Sequence, residues 1–195
     1  AGGRHLHHRC VAGHLDPLPL GHRGAIHPTD RANGRGEVAA KRPPPAPYTI
    51  NSAIDSLLKQ EFDVHRESGT AHYLIKKYNI KAIPYKCSDI DKWRHNFTGV
   101  QFHHKPTDFL VFGAVDDVWV DPEDKLIVVD YKATGAKEYQ IYPSYKRQME
   151  VYQWLLAQNG FRVSKTGYFL FAKVNKEGGF AQGKLSFDLF LEPLE

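Results

Sequence analysis

Beyond residue 48, the first part of the chain has apolar residues at helical spacing. Between residues 51 and 62 they fall on one face of a helix whose first turn Asn51 or Ser52 can cap. That face carries Ile54, Leu57, Leu58 and Phe62. Two shorter amphipathic stretches follow at 69–75 and 89–97. This part of the pattern therefore predicts helices, the first of which buries one face.

Between residues 109 and 129 the apolar residues no longer have helical spacing and instead form short runs typical of β-strands. β-branched and aromatic residues are concentrated in 109–112, 115–120 and 126–129, and the sequence Asp121-Pro-Glu-Asp124 supplies a turn between the last two. Strands joined by so short a turn pair with each other. We expect these two segments to form an antiparallel hairpin.

A helix and two further strands follow the hairpin. Residues 145–158 predict a helix that ends at Asn159-Gly160, and its apolar face carries Met149, Tyr152, Leu155 and Leu156. Strands are predicted at 166–174 and 184–191. The order of helices, three strands, a helix and two strands predicts an α/β fold with a central mixed β-sheet flanked by helices.

The first 47 residues differ in composition from the rest. They contain seven Gly, seven Pro and six of the eleven His, whereas all 24 aromatic residues lie from Tyr48 onward. Such a segment buries too little apolar surface to offset its ordering entropy. We therefore predict that residues 1–47 are a low-complexity, disordered extension and that 48–195 form one domain. The histidine spacings of the extension match no structural zinc pattern.

Composition and charge exclude several classes of protein. Only Cys10 and Cys87 are available. Two cysteines are too few for a disulfide framework, for a four-cysteine zinc site or for an iron–sulfur cluster. No apolar run is long enough to cross a bilayer, so we expect a cytoplasmic protein without membrane association. The net charge of +4 arises entirely within residues 1–47 and neither supports nor excludes nucleic-acid binding.

Carboxylates lie at the ends of the two paired strands. Asp130 and Lys132 project to the same side of their strand, and Asp116 ends the facing strand, so the hairpin turns the two carboxylates towards each other. An isolated Asp-x-Lys is usually a surface ion pair. Two converging carboxylates, however, repel unless a cation or proton intervenes, and oxygen ligands favour Mg2+ or Mn2+. Asp117 should point to the opposite face.

Gln148 and Tyr152 lie four residues apart and therefore share one face of the last helix. In one interpretation Tyr152 is a core aromatic residue and Gln148 a solvated polar one. In the other, the Gln148 amide and the Tyr152 hydroxyl face a phosphate backbone.

Together these motifs resemble the PD-(D/E)XK nuclease superfamily in its RecB-like exonuclease branch. The matching elements are Gly113-x-x-Asp116, Asp130-x-Lys132 and Gln148-x-x-x-Tyr152. The resemblance covers residues 48–191 and implies a restriction-endonuclease-like core. It also implies an early Gly-x-x-His that supplies a metal ligand, which Gly69-Thr-Ala-His72 resembles, although His72 can equally be a partly buried helix residue.

The resemblance implies a role for each matching residue. Asp116, Asp130 and Lys132 would be catalytic, with Asp116, Asp130 and His72 binding the metal and Lys132 activating water. Gln148 and Tyr152 would position DNA. His103 and His104 remain unassigned. Members of the branch begin with a further helix that residues 1–47 do not resemble, so we expect an N-terminus that is truncated, replaced by unrelated sequence or wrongly translated.

The functional hypothesis is a Mg2+- or Mn2+-dependent deoxyribonuclease, an exonuclease rather than an endonuclease, that acts in DNA repair, recombination or processing. The alternative is a nucleic-acid-binding module that keeps the fold without cleaving, or a nuclease that needs a partner. The neutral charge of residues 48–195 favours the alternative, whereas the full set of acidic and lysine positions favours the nuclease.

Overall fold

The computed structural model describes residues 49–136 and 138–195, so the predicted extension, residues 1–47, lies outside the described residues. The helices are α1 (Thr49–Ser68), α2 (Tyr73–Lys77), α3 (Ile90–Arg94) and α4 (Pro143–Gln158). The strands are β1 (Ile83–Pro84), β2 (Val100–His104), β3 (Phe109–Gly113), β4 (Asp117–Val120), β5 (Leu126–Thr134), β6 (Gly167–Val174) and β7 (Phe187–Leu194).

The predicted α/β fold with a central mixed sheet is confirmed. Five strands form one sheet in the order β1-β4-β5-β6-β7. Only the β5–β6 pair is parallel, with α4 as the crossover between its strands, and the other pairs are antiparallel. Because β5 is central and covered on both faces, its first residues are almost continuously apolar and buried.

Two hydrophobic clusters lie on opposite faces of this sheet. On one face α1 and α2 pack against Trp119, Ile127 and Val129, with Phe62 fully buried between helix and sheet. On the other face α4 covers a second cluster, which contains Val118, Val128, Met149, Leu155, Leu156 and Phe169. Because successive side chains of β4 and β5 point to opposite faces of the sheet, each strand contributes residues to both clusters.

The first predicted strand does not belong to the central sheet. Residues 109–113 pair instead with β2, which the sequence pattern does not predict, in a separate two-stranded sheet that packs on α4. The chain leaves this hairpin at Gly113 and passes α3, where the Val115 N–H donates to the Trp93 carbonyl at 3.1 Å. Because the Val115 amide is used there, β4 begins at Asp117 rather than at residue 115.

Other boundaries also differ from the prediction: the helical stretch expected at 69–75 begins only at Tyr73, with His72 as the N-cap of α2. Helix α1 continues to Ser68 because its polar last turns are held by tertiary ion pairs, such as the pair between Arg66 and Asp117, which the apolar spacing does not reveal. Strand β7 runs later than predicted, because its pairing with β6 extends from Phe187 to Leu194. Its Pro193 is tolerated because β7 is an edge strand.

Candidate functional site

The β4–β5 hairpin brings Asp116 and Asp130 to the same end of the central sheet. Asp117 pairs with Val129, so Asp116, one residue earlier, lies beside Asp130. The Tyr131 backbone N–H donates to Asp116 Oδ2 at 2.8 Å, which fixes the Asp116 carboxylate across the hairpin. The predicted hairpin is therefore confirmed.

Lys132 lies on the α4 side of β5, as does Asp130. Its ammonium group forms an ion pair with the Asp130 carboxylate and donates to Gln148 Oε1 at 3.3 Å. It also lies 4.6 Å from the centre of the Tyr145 ring, within range of a cation–π interaction. Three groups on two elements thus hold the Lys132 amine at the end of the sheet.

Helix α4 extends this chain of contacts through Gln148 and Tyr152. The Gln148 Nε2 group donates to the Tyr152 hydroxyl at 2.7 Å, so one amide connects Lys132 to Tyr152. Tyr152 is also a buried core residue, and burial raises its pKa to about 12. The Tyr152 ring is therefore a core residue, whereas its hydroxyl lies towards Gln148 and its role towards a phosphate backbone stays a prediction.

Gly113 gives space to the Tyr152 ring. A Cβ atom at Gly113 would lie 2.6 Å from Tyr152 Cε1, closer than real contacts allow. The Gly-x-x-Asp motif therefore has a structural reason, because the chain passes against the Tyr152 ring at Gly113 and presents its carboxylate three residues later.

The negative charges of Asp116 and Asp130 are only partly balanced by neighbouring hydrogen-bond donors and cations. Both oxygens of the Asp130 carboxylate are buried without a hydrogen-bond partner among the described residues, although the Lys132 ammonium is in contact. Burial raises the pKa of Asp130, and Lys132 offsets this only in part. Burial and the charge of Asp130 likewise raise the pKa of Asp116 to about 7. The charges of Lys132 and Lys59 therefore offset those of the two carboxylates only in part.

These residues fit a hard divalent cation. Carboxylate oxygens from two converging aspartates, those of Asp130 without a hydrogen-bond partner among the described residues, are the donor type that Mg2+ and Mn2+ prefer. Within residues 49–136 and 138–195, no three His, Cys, Asp or Glu side chains come together as a ready-made metal site. That is compatible with Mg2+, which is commonly held by one or two carboxylates and completed by waters and substrate phosphates.

His72 has partners of its own on the α1 face. Its Nδ1 accepts a hydrogen bond from the Leu74 N–H at 3.2 Å, so the neutral ring carries its proton on Nε2, which lies 2.7 Å from Glu61 Oε1. Burial lowers the pKa of His72, which keeps the ring neutral, although Glu61 opposes this shift. The ring also stacks on Phe62 at 4.2 Å. A metal-ligand role for His72 stays a prediction and would require the ring to exchange one of these partners.

His103 and His104 lie at the far end of the β2–β3 hairpin. His103 is close to Asp108 and His104 to Thr107, both in the turn between the strands. Gly113, which leads to Asp116, pairs with Val100 at the other end. The two histidines therefore lie at the end of the hairpin remote from Gly113.

Two residues that the sequence analysis missed line the same cleft as Asp116 and Lys132, and a third, Lys59, lies beside Asp116. The cleft has a volume of about 330 Å³ and receives Asp55 from α1 and Tyr145 from α4. Lys59 lies one helical turn after Asp55, with its Nζ 2.7 Å from Asp55 Oδ2 and 3.7 Å from Asp116 Oδ1. In the sequence, Asp55 and Lys59 look like an ordinary i,i+4 surface pair, so no local signal identifies them.

Asp117 points to the opposite face, as predicted, and is saturated with donors. Its carboxylate is fully buried and accepts hydrogen bonds from five groups: Arg66 Nη2, Arg94 Nη2 (3.0 Å), the Val118 N–H (2.8 Å), Trp119 Nε1 (3.3 Å) and the Tyr131 hydroxyl (2.9 Å). Asp63 binds the same two arginines. This second acidic cluster is therefore structural.

Comparison with known protein families gives one match. A family model described as the PD-(D/E)XK nuclease superfamily matches residues 22–192. The matched range includes the β4–β5 hairpin and α4, and it begins within the segment predicted to be an extension. No curated protein and no solved structure matches the chain significantly.

Proposed function

The chain belongs to the PD-(D/E)XK nuclease superfamily, and from that premise we propose that it is a divalent-metal-dependent deoxyribonuclease that hydrolyses phosphodiester bonds. The observation that carries the proposal is the pair of Asp116 and Asp130. Their carboxylates converge at one end of the sheet with raised pKa values, and apart from the contact with the Lys132 ammonium the Asp130 oxygens have no hydrogen-bond partner among the described residues. Such repulsion is unfavourable in a merely structural cluster.

In the proposed mechanism the two aspartates bind the metal, and Lys132, Gln148 and Tyr152 act on the substrate and the attacking water. Asp116 and Asp130 would hold a Mg2+ or Mn2+ ion, which would supply Lewis-acid stabilisation of the charge that develops on the phosphoryl group. Lys132 stabilises the same charge as a cation and orients the attacking water. Gln148 positions the Lys132 amine and, with Tyr152, faces the substrate backbone. No covalent intermediate is needed.

The finer assignment rests on motif resemblance. Gln148-x-x-x-Tyr152 and Gly69-Thr-Ala-His72 favour the RecB-like branch, and that branch favours an exonuclease acting in DNA repair, recombination or processing. A cytoplasmic location is part of the same proposal. No helix in the described ranges, 49–136 and 138–195, has the length and apolar character to span a membrane.

A cleavage assay tests the activity directly. The wild-type protein should degrade labelled linear DNA with Mg2+ or Mn2+, and resistance of circular DNA would identify an exonuclease. Asp130→Ala and Lys132→Ala should each lower the rate by at least about a hundredfold, because each removes transition-state charge stabilisation. Lys125→Ala is the matched control, since Lys125 lies at the opposite end of the same hairpin and pairs with Glu123. Cleavage at the wild-type rate by either site variant would contradict the assignment.

Thermal melting separates this proposal from a non-cleaving nucleic-acid-binding module. A cation bound at the two aspartates should raise the Tm of the wild-type protein, and Asp116→Ala should abolish that rise. Asp108→Asn is the control, because Asp108 is 93% exposed in the β2–β3 turn. DNA binding without cleavage and without a metal-dependent Tm shift would favour the binding module. Cleavage that appears only with an added protein would indicate a partner-dependent nuclease.

A further inference from the structure

Two tyrosines form a step beside the cleft at the start of α4. Tyr145 lines the cleft, and the Tyr142 ring meets it edge to face, with ring centres 5.3 Å apart and planes at 89°. Tyr142 is 51% exposed. The cation–π contact of Tyr145 with Lys132 places this step next to the proposed catalytic lysine.

The backbone holds the step in place. The Tyr142 carbonyl accepts hydrogen bonds from the N–H groups of Tyr145 (2.9 Å) and Lys146 (3.3 Å) in the first turn of α4. The preceding loop is anchored by Tyr139, whose ring packs against Phe171 and Phe190. Tyr142 therefore presents a half-exposed ring from a fixed helix end at low conformational cost.

The charges around the step suit a polyanion. The first turn of α4 contains no acidic residue, and Lys146 and Arg147 follow Tyr145 directly, both exposed. Aromatic rings next to basic side chains bind single-stranded nucleic acid, because bases stack on the rings while the backbone follows the positive charge. A base within a duplex is already stacked and paired, whereas an unpaired base has a free face.

We propose that Tyr142 is a base-stacking residue that, with Tyr145 behind it, binds an unpaired nucleobase next to the phosphodiester under attack. This inference rests on the proposed nuclease function and specifies its substrate as a single strand or a frayed end. Stacking on a tyrosine tolerates any base, so the step selects unpaired nucleotides without selecting sequence.

Another exposed aromatic residue provides the comparison. Phe97 is 85% exposed, but its ring lies against His95, which does not line the cleft. Exposure alone therefore does not distinguish Tyr142. Its edge contact with Tyr145 at the cleft does.

Binding measurements with two probes test the proposal. The probes are a fluorescein-labelled oligothymidylate and a strand of the same length with abasic sites, and Ca2+ replaces Mg2+ to prevent cleavage. Tyr142→Ala should weaken oligothymidylate binding roughly 5- to 150-fold, the range for loss of one stacked base. It should leave abasic-strand binding unchanged. Tyr142→Phe should restore binding because it keeps the ring, and Phe97→Ala should have no effect.

Each outcome decides between the possibilities. Equal weakening of both probes would overturn the proposal, because Tyr142 would then contact only the backbone or support the fold. Unchanged binding of both would overturn it as well. If the wild-type protein neither binds nor cleaves any strand, the proposed function fails together with this inference. If the wild-type protein cleaves but Tyr142→Ala does not discriminate between the probes, only the stacking role fails.

Discussion

Asp116 and Asp117 are neighbours in the chain but lie in opposite electrostatic environments. Asp117 accepts hydrogen bonds from five donors, two of them arginines, and is fully buried. Asp116 accepts one backbone hydrogen bond at 2.8 Å, and its nearest cation, Lys59, lies 3.7 Å away. Burial and Asp130 raise the pKa of Asp116 to about 7.

The difference teaches how one protein uses two adjacent carboxylates, one fully buried and one partly buried, in two ways. A buried carboxylate that accepts hydrogen bonds from arginines stabilises the fold only as long as the carboxylate and its arginine partners are all present. A carboxylate left short of donors weakens the fold slightly and stays available to a cation from solution. Strand alternation sends Asp117 to the α1 face and Asp116 to the open end of the sheet, so adjacent residues take these separate roles.

The strongest test of this comparison is Asp117→Asn. The change leaves Arg66 and Arg94 partly buried without their main counter-charge, so we expect the free energy of unfolding to fall by about 3–5 kcal/mol. Urea denaturation measures it. Asp116→Asn is the matched control at the next position. Equal stability losses in both variants would contradict the division into structural and functional carboxylates.

Tyr131→Phe removes one donor from Asp117 and leaves Asp116 untouched. The Tyr131 hydroxyl donates to Asp117, whereas its backbone N–H donates to Asp116. We expect a loss of about 1.5–3 kcal/mol in stability, typical of a hydrogen bond to a charged group. At a temperature where the variant is folded, cleavage should continue at the wild-type rate. A large fall in activity would show that the two clusters are coupled.

Asp116→Asn should keep or raise stability in the presence of EDTA. Asparagine still offers an oxygen to the Tyr131 N–H, while one of two repelling charges is lost. At mildly alkaline pH the gain should be up to about 1 kcal/mol, within the usual range for single substitutions. Thermal melting of the metal-free proteins checks this. Clear destabilisation by Asp116→Asn would mean that its carboxylate supports the fold.

The smallest expected effect is a dependence of stability on acid pH through Asp63. Burial raises the pKa of Asp63, but hydrogen bonds from Arg94 and Arg66 outweigh it and hold the pKa below its ordinary value of 3.8. The contribution of Asp63 is therefore present above 3.8 and is lost as the pH falls through its lower folded value. Since Asp63 is 40% exposed, the loss should be small. Urea titrations at descending pH should show a shallower decline for Asp63→Asn, and identical slopes would contradict it.

Local patterns were sufficient for much of the fold and for part of the site. β-Branched and aromatic residues on both sides of a turn predicted the β4–β5 hairpin, and the turn predicted that Asp116 and Asp130 meet. Strand β2 was missed because its sequence, Val-Gln-Phe-His-His, alternates weakly and is stabilised by packing on α4. Asp55 and Lys59 were missed because their spacing is that of any surface ion pair.

The sequence by itself determined which side chains share a face, because strand and helix periods are local properties of the backbone. It thereby grouped Asp116, Asp130 and Lys132 and separated Asp117 from them. Only the tertiary structure decided which carboxylate is compensated, since Arg66 lies 51 positions from Asp117 and reaches it from another element. Burial and charge depend on such distant neighbours, and only the structure brought Lys59 beside Asp116 and Tyr145 to the cleft.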